Sequence, residues 1–177
     1  MLRRYFCPDE YIESFRLATP EFLLKRNIKA LLLDIDNTLA PYELPEPTEE
    51  ILTWFSALWN AGIKTAFVSN NHGPRVIKFN ETIGIPAFPR AKKPLRCGTK
   101  QALAELGVSK CEAAIMGDQV FTDVWAGRRI GIKTILVPPI RDKRDIFTKF
   151  KRLLERPVLK FYSKKMKKEA SENEAVS

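Results

Sequence analysis

Long apolar runs are missing from this 177-residue chain. No stretch approaches the roughly 18 consecutive apolar residues that a membrane-spanning helix needs. The start, Met1-Leu2-Arg3-Arg4-Tyr5-Phe6-Cys7-Pro8-Asp9, lacks the apolar core of a secretory signal, so a cytoplasmic protein is expected. Cysteine is scarce: Cys7, Cys97 and Cys111 are odd in number, widely spaced and in no metal-ligand pattern. They read as plain thiols, in keeping with a reducing compartment. Neither an internal repeat nor an inter-domain linker is visible.

What remains is a chain long enough for one domain with a substantial core, 45 % of it apolar. The net charge of +9 is unevenly placed. Residues 141–168 carry 12 Lys/Arg against 3 acids, whereas residues 1–140 carry 18 against 15. Such a basic segment points to an anionic partner. The organisation expected is an N-terminal helical segment over 1–29, a core over 30–140, a basic amphipathic segment over 141–168 and a disordered polar tail over 169–177.

Within 30–140 short apolar runs alternate with helical patterns, which predicts an α/β domain with a parallel sheet. Five strands are expected, at Ala30–Leu33, Thr65–Val68, Pro86–Phe88, Ala113–Met116 and Thr134–Val137. Thr48 can cap a helix whose apolar residues Ile51, Trp54, Phe55 and Leu58 recur at i, i+3, i+4 and i+7, with Gly62 as its stop. Further helices are predicted from Pro74 to Gly84, from Gly98 to Leu106, and from Thr122 to Ile130. Thr19-Pro20-Glu21 reads as the start of another.

In open α/β sheets ligands bind at the carboxyl ends of strands. The groups that fall there are Asp34-Ile35-Asp36-Asn37-Thr38, Ser69-Asn70-Asn71, Lys92-Lys93-Pro94 and Gly117-Asp118-Gln119, with Asp123 shortly after. Singly, each reads as a turn, a cap or a solvated charge. A carboxylate at the end of an apolar strand, however, is costly unless something pairs with it, and a hard cation would do so.

This ordered set resembles the four motifs of the haloacid dehalogenase (HAD) superfamily: Asp34 to Thr38 the first, Ser69 the second, Lys93 the third, Asp118 with Asp123 the fourth. The resemblance covers roughly residues 28–140, and the strings Leu33-Asp34-Ile35-Asp36-Asn37-Thr38-Leu39 and Gly117-Asp118-Gln119-Val120-Phe121-Thr122-Asp123-Val124 are similar to the YqeG-type branch of subclass IIIA. Gly127-Arg128-Arg129 departs from that branch, where an Asn is expected after the glycine. The resemblance implies a Rossmann-like three-layer sandwich with a mainly parallel five-stranded sheet. It also implies a phosphomonoester hydrolase with Asp34 as nucleophile and Asp36 as general acid and base. Thr38, Ser69, Asn70 and Lys93 are the implied phosphate-binding residues. Asp34, the backbone carbonyl of Asp36, and Asp118 are the implied Mg²⁺ ligands, with Asp123 orienting Lys93 or supporting the metal. Lys93 is preferred over Lys92 because it directly precedes Pro94. His72, a lone loop histidine three residues past Ser69, reads as incidental.

Ser69 lies 35 positions after Asp34 and Lys93 24 positions after Ser69, which leaves no room for a folded cap domain. An open site admits large or surface-bound substrates. The YqeG-type branch is similar to phosphatases that dephosphorylate phosphatidylglycerophosphate. The basic segment, with Ile146, Phe147, Phe150, Leu153 and Leu154 on one helical face, suits peripheral contact with an anionic membrane on its inner face. The other reading of that face is packing on the sheet. Two alternatives stand beside the lipid substrate: a soluble sugar, nucleotide or cofactor phosphate, and a basic RNA- or ribosome-binding adaptor. The intact catalytic set and the lack of an aromatic-rich strand weigh against nucleic acid.

Overall fold

A computed structural model of the chain describes residues 3–141. The expectations for the basic segment beyond Arg141 and for the polar tail lie outside the described residues. Six strands form a single sheet: β1 (Glu10–Tyr11), β2 (Ala30–Leu33), β3 (Lys64–Val68), β4 (Ala87–Phe88), β5 (Ala113–Gly117) and β6 (Lys133–Leu136). Their order is β1-β6-β5-β2-β3-β4, and every neighbouring pair is parallel. Five of the six match the runs read from sequence. The sixth, β1, lies in the segment expected to be helical and extends the sheet at its edge by pairing Glu10 with Ile135 and Tyr11 with Leu136. Two residues are too few to carry a periodic signal. What holds the edge is Asp9, whose Oδ2 accepts from Thr134 N at 2.8 Å and Thr134 Oγ1 at 3.0 Å, and which pairs with Arg128 at 2.8 Å.

Helices cover both faces. α1 (Arg3–Phe6) and α2 (Pro20–Lys25) precede β2; α3 (Glu49–Asn60) and α4 (Gly73–Asn80) flank β3; α5 (Arg96–Leu106) and α6 (Trp125–Ile130) flank β5. The period of two along β2 sends Leu31 and Leu33 to one core and Ala30 and Leu32 to the other. That is why the strand reads as an unbroken apolar run: it is buried on both sides. The first core takes Phe15, Leu23 and Ile28 from the N-terminal segment together with α3 and α4, so residues 12–28 contribute to the same fold. The second lies under α5 and α6.

α3 forms as its sequence dictates. Thr48 accepts from the Ile51 N–H, Glu49 and Glu50 occupy the positive first turn, and Ile51, Trp54, Phe55 and Leu58 are buried. Each such side chain contributes about 1.5–3 kcal/mol of apolar burial. Gly62, at φ 76°, turns the chain into β3. The stretch predicted as one helix from Thr122 to Ile130 is instead a π-helical turn, Val120–Val124, running into α6. Extra width in that turn carries Asp123 back over the end of β5.

Candidate active site

The sheet reverses its winding between β2 and β5, and the residues leaving these strands meet there. Asp34 follows β2 directly, with its N–H bonded to Met116 O at 3.0 Å across the β2–β5 pair. Asn37 sits at φ 63°, a conformation asparagine tolerates, and closes a tight turn through its N–H to Ala40 O at 2.7 Å. The turn buries Thr38, whose hydroxyl has no hydrogen-bond partner among the described residues.

Lys93 enters from the loop after β4. Its ammonium donates to Asp34 Oδ1 at 2.9 Å and to Asp123 Oδ1 at 2.6 Å, and all three side chains are buried. Lys92, by contrast, is exposed, so Lys93 is the lysine that faces the site. The supporting loop holds Arg90 at φ 50° and Lys92 at φ 54°, and the Lys93–Pro94 bond is cis. Left-handed φ at non-glycine residues costs on the order of 1–3 kcal/mol each. A reciprocal clamp offsets this: Lys93 N donates to Asn70 Oδ1 at 2.6 Å, and Asn70 Nδ2 donates to Lys93 O at 2.9 Å. The Asn70 amide, expected on a phosphate, is thus committed to the backbone of Lys93. Ser69 is buried beside it and accepts from Asn71 N at 3.1 Å, which leaves its hydroxyl proton for another acceptor.

Asp118 and Asp123 come from the end of β5 and the π-helical turn. Asp123 Oδ2 accepts from Gln119 N at 3.2 Å and Thr122 Oγ1 at 3.0 Å, so both of its oxygens are engaged. A Cβ on Gly117 would lie 2.2 Å from Asp123 Cγ, so only glycine lets this carboxylate cross the strand end. Carboxylate oxygens of Asp34, Asp118 and Asp123 all lie within 4.8 Å of one another. An all-oxygen donor set of this kind suits a hard divalent cation.

Burial pushes Asp34 up to about 6 against the pull of the Lys93 ammonium, with the Asp123 carboxylate adding to the rise. Burial alone would lower Lys93, but Asp123 and Asp34 outweigh it and hold the ammonium well above the usual lysine range.

The Asp36 carboxylate turns to a different set of partners. Asn71 Nδ2 donates to its Oδ2 at 2.8 Å and Arg75 Nε to its Oδ1 at 3.2 Å. Asn71 falls in the Ser69-Asn70-Asn71 group read from sequence but carries no assigned role there, and Arg75 is not among the residues read from sequence. A signal existed for Arg75: it falls on the buried face of α4 with Val76 and Phe79, an odd place for a guanidinium. His72 is exposed at the start of α4, and its side chain does not cap the helix.

Known proteins resemble this chain. The HAD-hydrolase-like family profile matches residues 91–144. The probable phosphatase YqeG of Bacillus subtilis is 38 % identical over 165 residues, 93 % of this chain and 96 % of that protein. The chloroplastic/mitochondrial phosphatidylglycerophosphate phosphatase 1 of Arabidopsis thaliana is 29 % identical over 177 aligned positions, covering 92 % of this chain and 50 % of that protein. Among solved structures, the cobalt-bound deoxy-D-mannose-octulosonate 8-phosphate phosphatase of Haemophilus influenzae aligns with TM-score 0.52 at 18 % identity over 63 % of this chain and 69 % of that one. An uncharacterized protein of Listeria monocytogenes serotype 4b aligns with TM-score 0.51 at 16 % identity over 67 % of this chain and 85 % of that one. At such identities the structural likenesses establish the fold alone. The 38 % identity to YqeG over nearly the whole of both chains, with the family profile, places the chain: it belongs to the YqeG-type phosphatases of the HAD superfamily, hydrolases of phosphoric monoesters.

Proposed function

We propose that Asp34 is the nucleophile, and that the natural substrate is an anionic phospholipid monoester of the phosphatidylglycerophosphate type, dephosphorylated at the membrane surface. The observation that carries the chemistry is the Lys93 ammonium, buried between Asp34 and Asp123 at the carboxyl end of the sheet. In this reading an Asp34 oxygen attacks phosphorus, the P–O bond to the alcohol breaks, and the phosphoryl group passes to Asp34 as an aspartyl-phosphate. Asp36 gives its proton to the departing alkoxide, then takes one from the water that attacks the aspartyl-phosphate. Lys93, Ser69 and the Thr38 hydroxyl, which has no hydrogen-bond partner among the described residues, hold the phosphoryl oxygens where charge builds up. Asp123 keeps Lys93 aimed, since both of its oxygens are already bonded.

Asp34 and Asp118, with the backbone carbonyl of Asp36, would hold Mg²⁺. When bound, that cation screens the repulsion between carboxylate and phosphate ester. The same reading keeps 30–140 as the catalytic core and makes 141–168 a membrane-facing extension.

Two observations favour a lipid. The plant relative is named for phosphatidylglycerophosphate. The loop that delivers Lys93 and the start of α5 also expose apolar Leu95 among Arg90, Lys92 and Arg96, a combination that suits an anionic bilayer. The test is phosphate release from phosphatidylglycerophosphate in mixed micelles with Mg²⁺, beside a panel of soluble esters and an Asp34→Asn control. Asp34-dependent turnover of the lipid in preference to the panel is expected. Turnover confined to a soluble ester would keep the mechanism and remove the lipid.

A further inference from the structure

We infer that Arg75 is a positioning residue for proton transfer: with Asn71 it fixes the Asp36 carboxylate for leaving-group protonation. The inference rests on the reading of Asp36 as general acid and base. The two donors divide the carboxylate between them, Asn71 Nδ2 on Oδ2 at 2.8 Å and Arg75 Nε on Oδ1 at 3.2 Å. Both come from the segment after β3, so the strand that delivers Ser69 also delivers the groups that orient Asp36.

Arg75 is itself over-determined. Its Nη1 donates to Pro45 O at 3.2 Å in the long connection after β2, and its guanidinium lies 5.0 Å from the Phe79 ring centroid and 6.0 Å from that of Tyr42. Only 8 % of the residue is exposed. Its Nη2 is buried without a hydrogen-bond partner among the described residues. A buried guanidinium that served stability alone would have all its donors met or be replaced by an apolar side chain. This one tolerates an unmet donor while keeping Nε on Asp36, and that places its value in the carboxylate it holds. The fork geometry matters as well. A planar guanidinium can bond Asp36 and Pro45 O at once in one fixed orientation, which a lysine ammonium cannot reproduce. In this way Arg75 ties the acid–base residue to the 38–48 connection and to α4.

The experiment compares leaving groups. Departure of p-nitrophenolate needs little proton donation, whereas phenolate needs more, and kcat/KM reports the steps through departure of the alcohol. Arg75→Gln, Arg75→Lys, Asn71→Ala and Asp36→Asn are assayed on phenyl phosphate and p-nitrophenyl phosphate with Mg²⁺. Arg75→Gln is expected to lose at least tenfold more kcat/KM on phenyl phosphate than on p-nitrophenyl phosphate. Asp36→Asn should share that selectivity, and Arg75→Lys should recover only part of it. Retained p-nitrophenyl phosphate turnover certifies the fold. Should Arg75→Gln fail to fold, Asn71→Ala tests the same clamp from its other donor. Equal losses on both esters for the Arg75 and Asn71 variants, with Asp36→Asn still selective, would overturn the positioning role. Equal losses for Asp36→Asn would overturn the acid–base reading beneath it.

Discussion

Asp34 and Lys93 share a 2.9 Å hydrogen bond, yet the protein treats their charges differently. Lys93 has two carboxylates and stays charged; Asp34 has one ammonium and a full desolvation penalty, so burial lifts it from 3.8 to about 6. The folded chain therefore holds this proton more tightly than the unfolded chain does. The stability Asp34 contributes is complete below about pH 4 and is lost as the pH rises to about 6. Asn at this position cannot ionise and escapes that loss. With the metal chelated, Asp34→Asn should therefore melt above the parent chain by a margin that widens across that window and then levels off. At roughly 1.36 kcal/mol per pKa unit the margin reaches about 3 kcal/mol. Adding Mg²⁺ should shrink it, because a cation stabilises the carboxylate and not the amide. Calorimetry from pH 4 to 8, with and without chelator, checks this; a margin independent of pH would show that Asp34 is not the desolvated group.

At the scale of elements, β1 shows what one exposed side chain can hold. Asp9 ties the first strand to β6 through Thr134 and Arg128, and Thr134 is fully buried. Asp9→Ala should cost about 1–3 kcal/mol, the range for stranding a buried donor, and lower Tm by several degrees. It should leave kcat/KM unchanged, because Thr134 lies toward the start of β6 while the site lies past its end. A thermal melt beside a phosphatase assay separates the two effects. The same element marks the limit of what the sequence discloses. The inner strands β2, β3, β5 and β6 were legible as apolar runs, the edge strand β4 as the short apolar stretch Pro86-Ala87-Phe88, and the Thr48 cap and Gly62 stop announced α3. Two-residue β1 has no period to read. The π-helical turn was missed for another reason: Val120, Val124, Ala126 and Ile130 fit a helical pattern whether or not one turn is widened. The strand-end motif residues were visible as a set, and helical spacing marks Arg75 as buried; the Asn70 clamp, the Gly117 crossing and the pairing of Arg75 with Asp36 depend on contacts between segments, which spacing along the chain does not encode.

For the whole molecule, the proposed lipid substrate raises the question of where an open, capless site would meet a bilayer. Over residues 1–140 positive charge barely exceeds negative, 18 against 15, so attraction to an anionic surface has to come from local placement or from 141–168. Local placement exists. Between Pro89 and Ala104 there is no acid; Arg90 and Lys92 stand exposed on the loop that delivers Lys93 and Arg96 at the start of α5, with Leu95 among them and half of its surface open at 51 %. A bilayer contacting this rim would present its phosphomonoester headgroups to Lys93 directly. Each basic residue near an anionic surface contributes about 1 kcal/mol, so Lys92→Gln with Arg96→Gln should weaken partitioning by about 2 kcal/mol, roughly 30-fold. On vesicles of phosphatidylglycerol and phosphatidylcholine the double variant should therefore need far more lipid for the same bound fraction and the same rate, with turnover of p-nitrophenyl phosphate in solution unchanged. Removing residues 142–177 from the parent chain supplies the opposing arm. If binding survives the double substitution and disappears with that truncation, docking belongs to the C-terminal segment, and the substrate has to be lifted to a rim that does not itself touch the membrane.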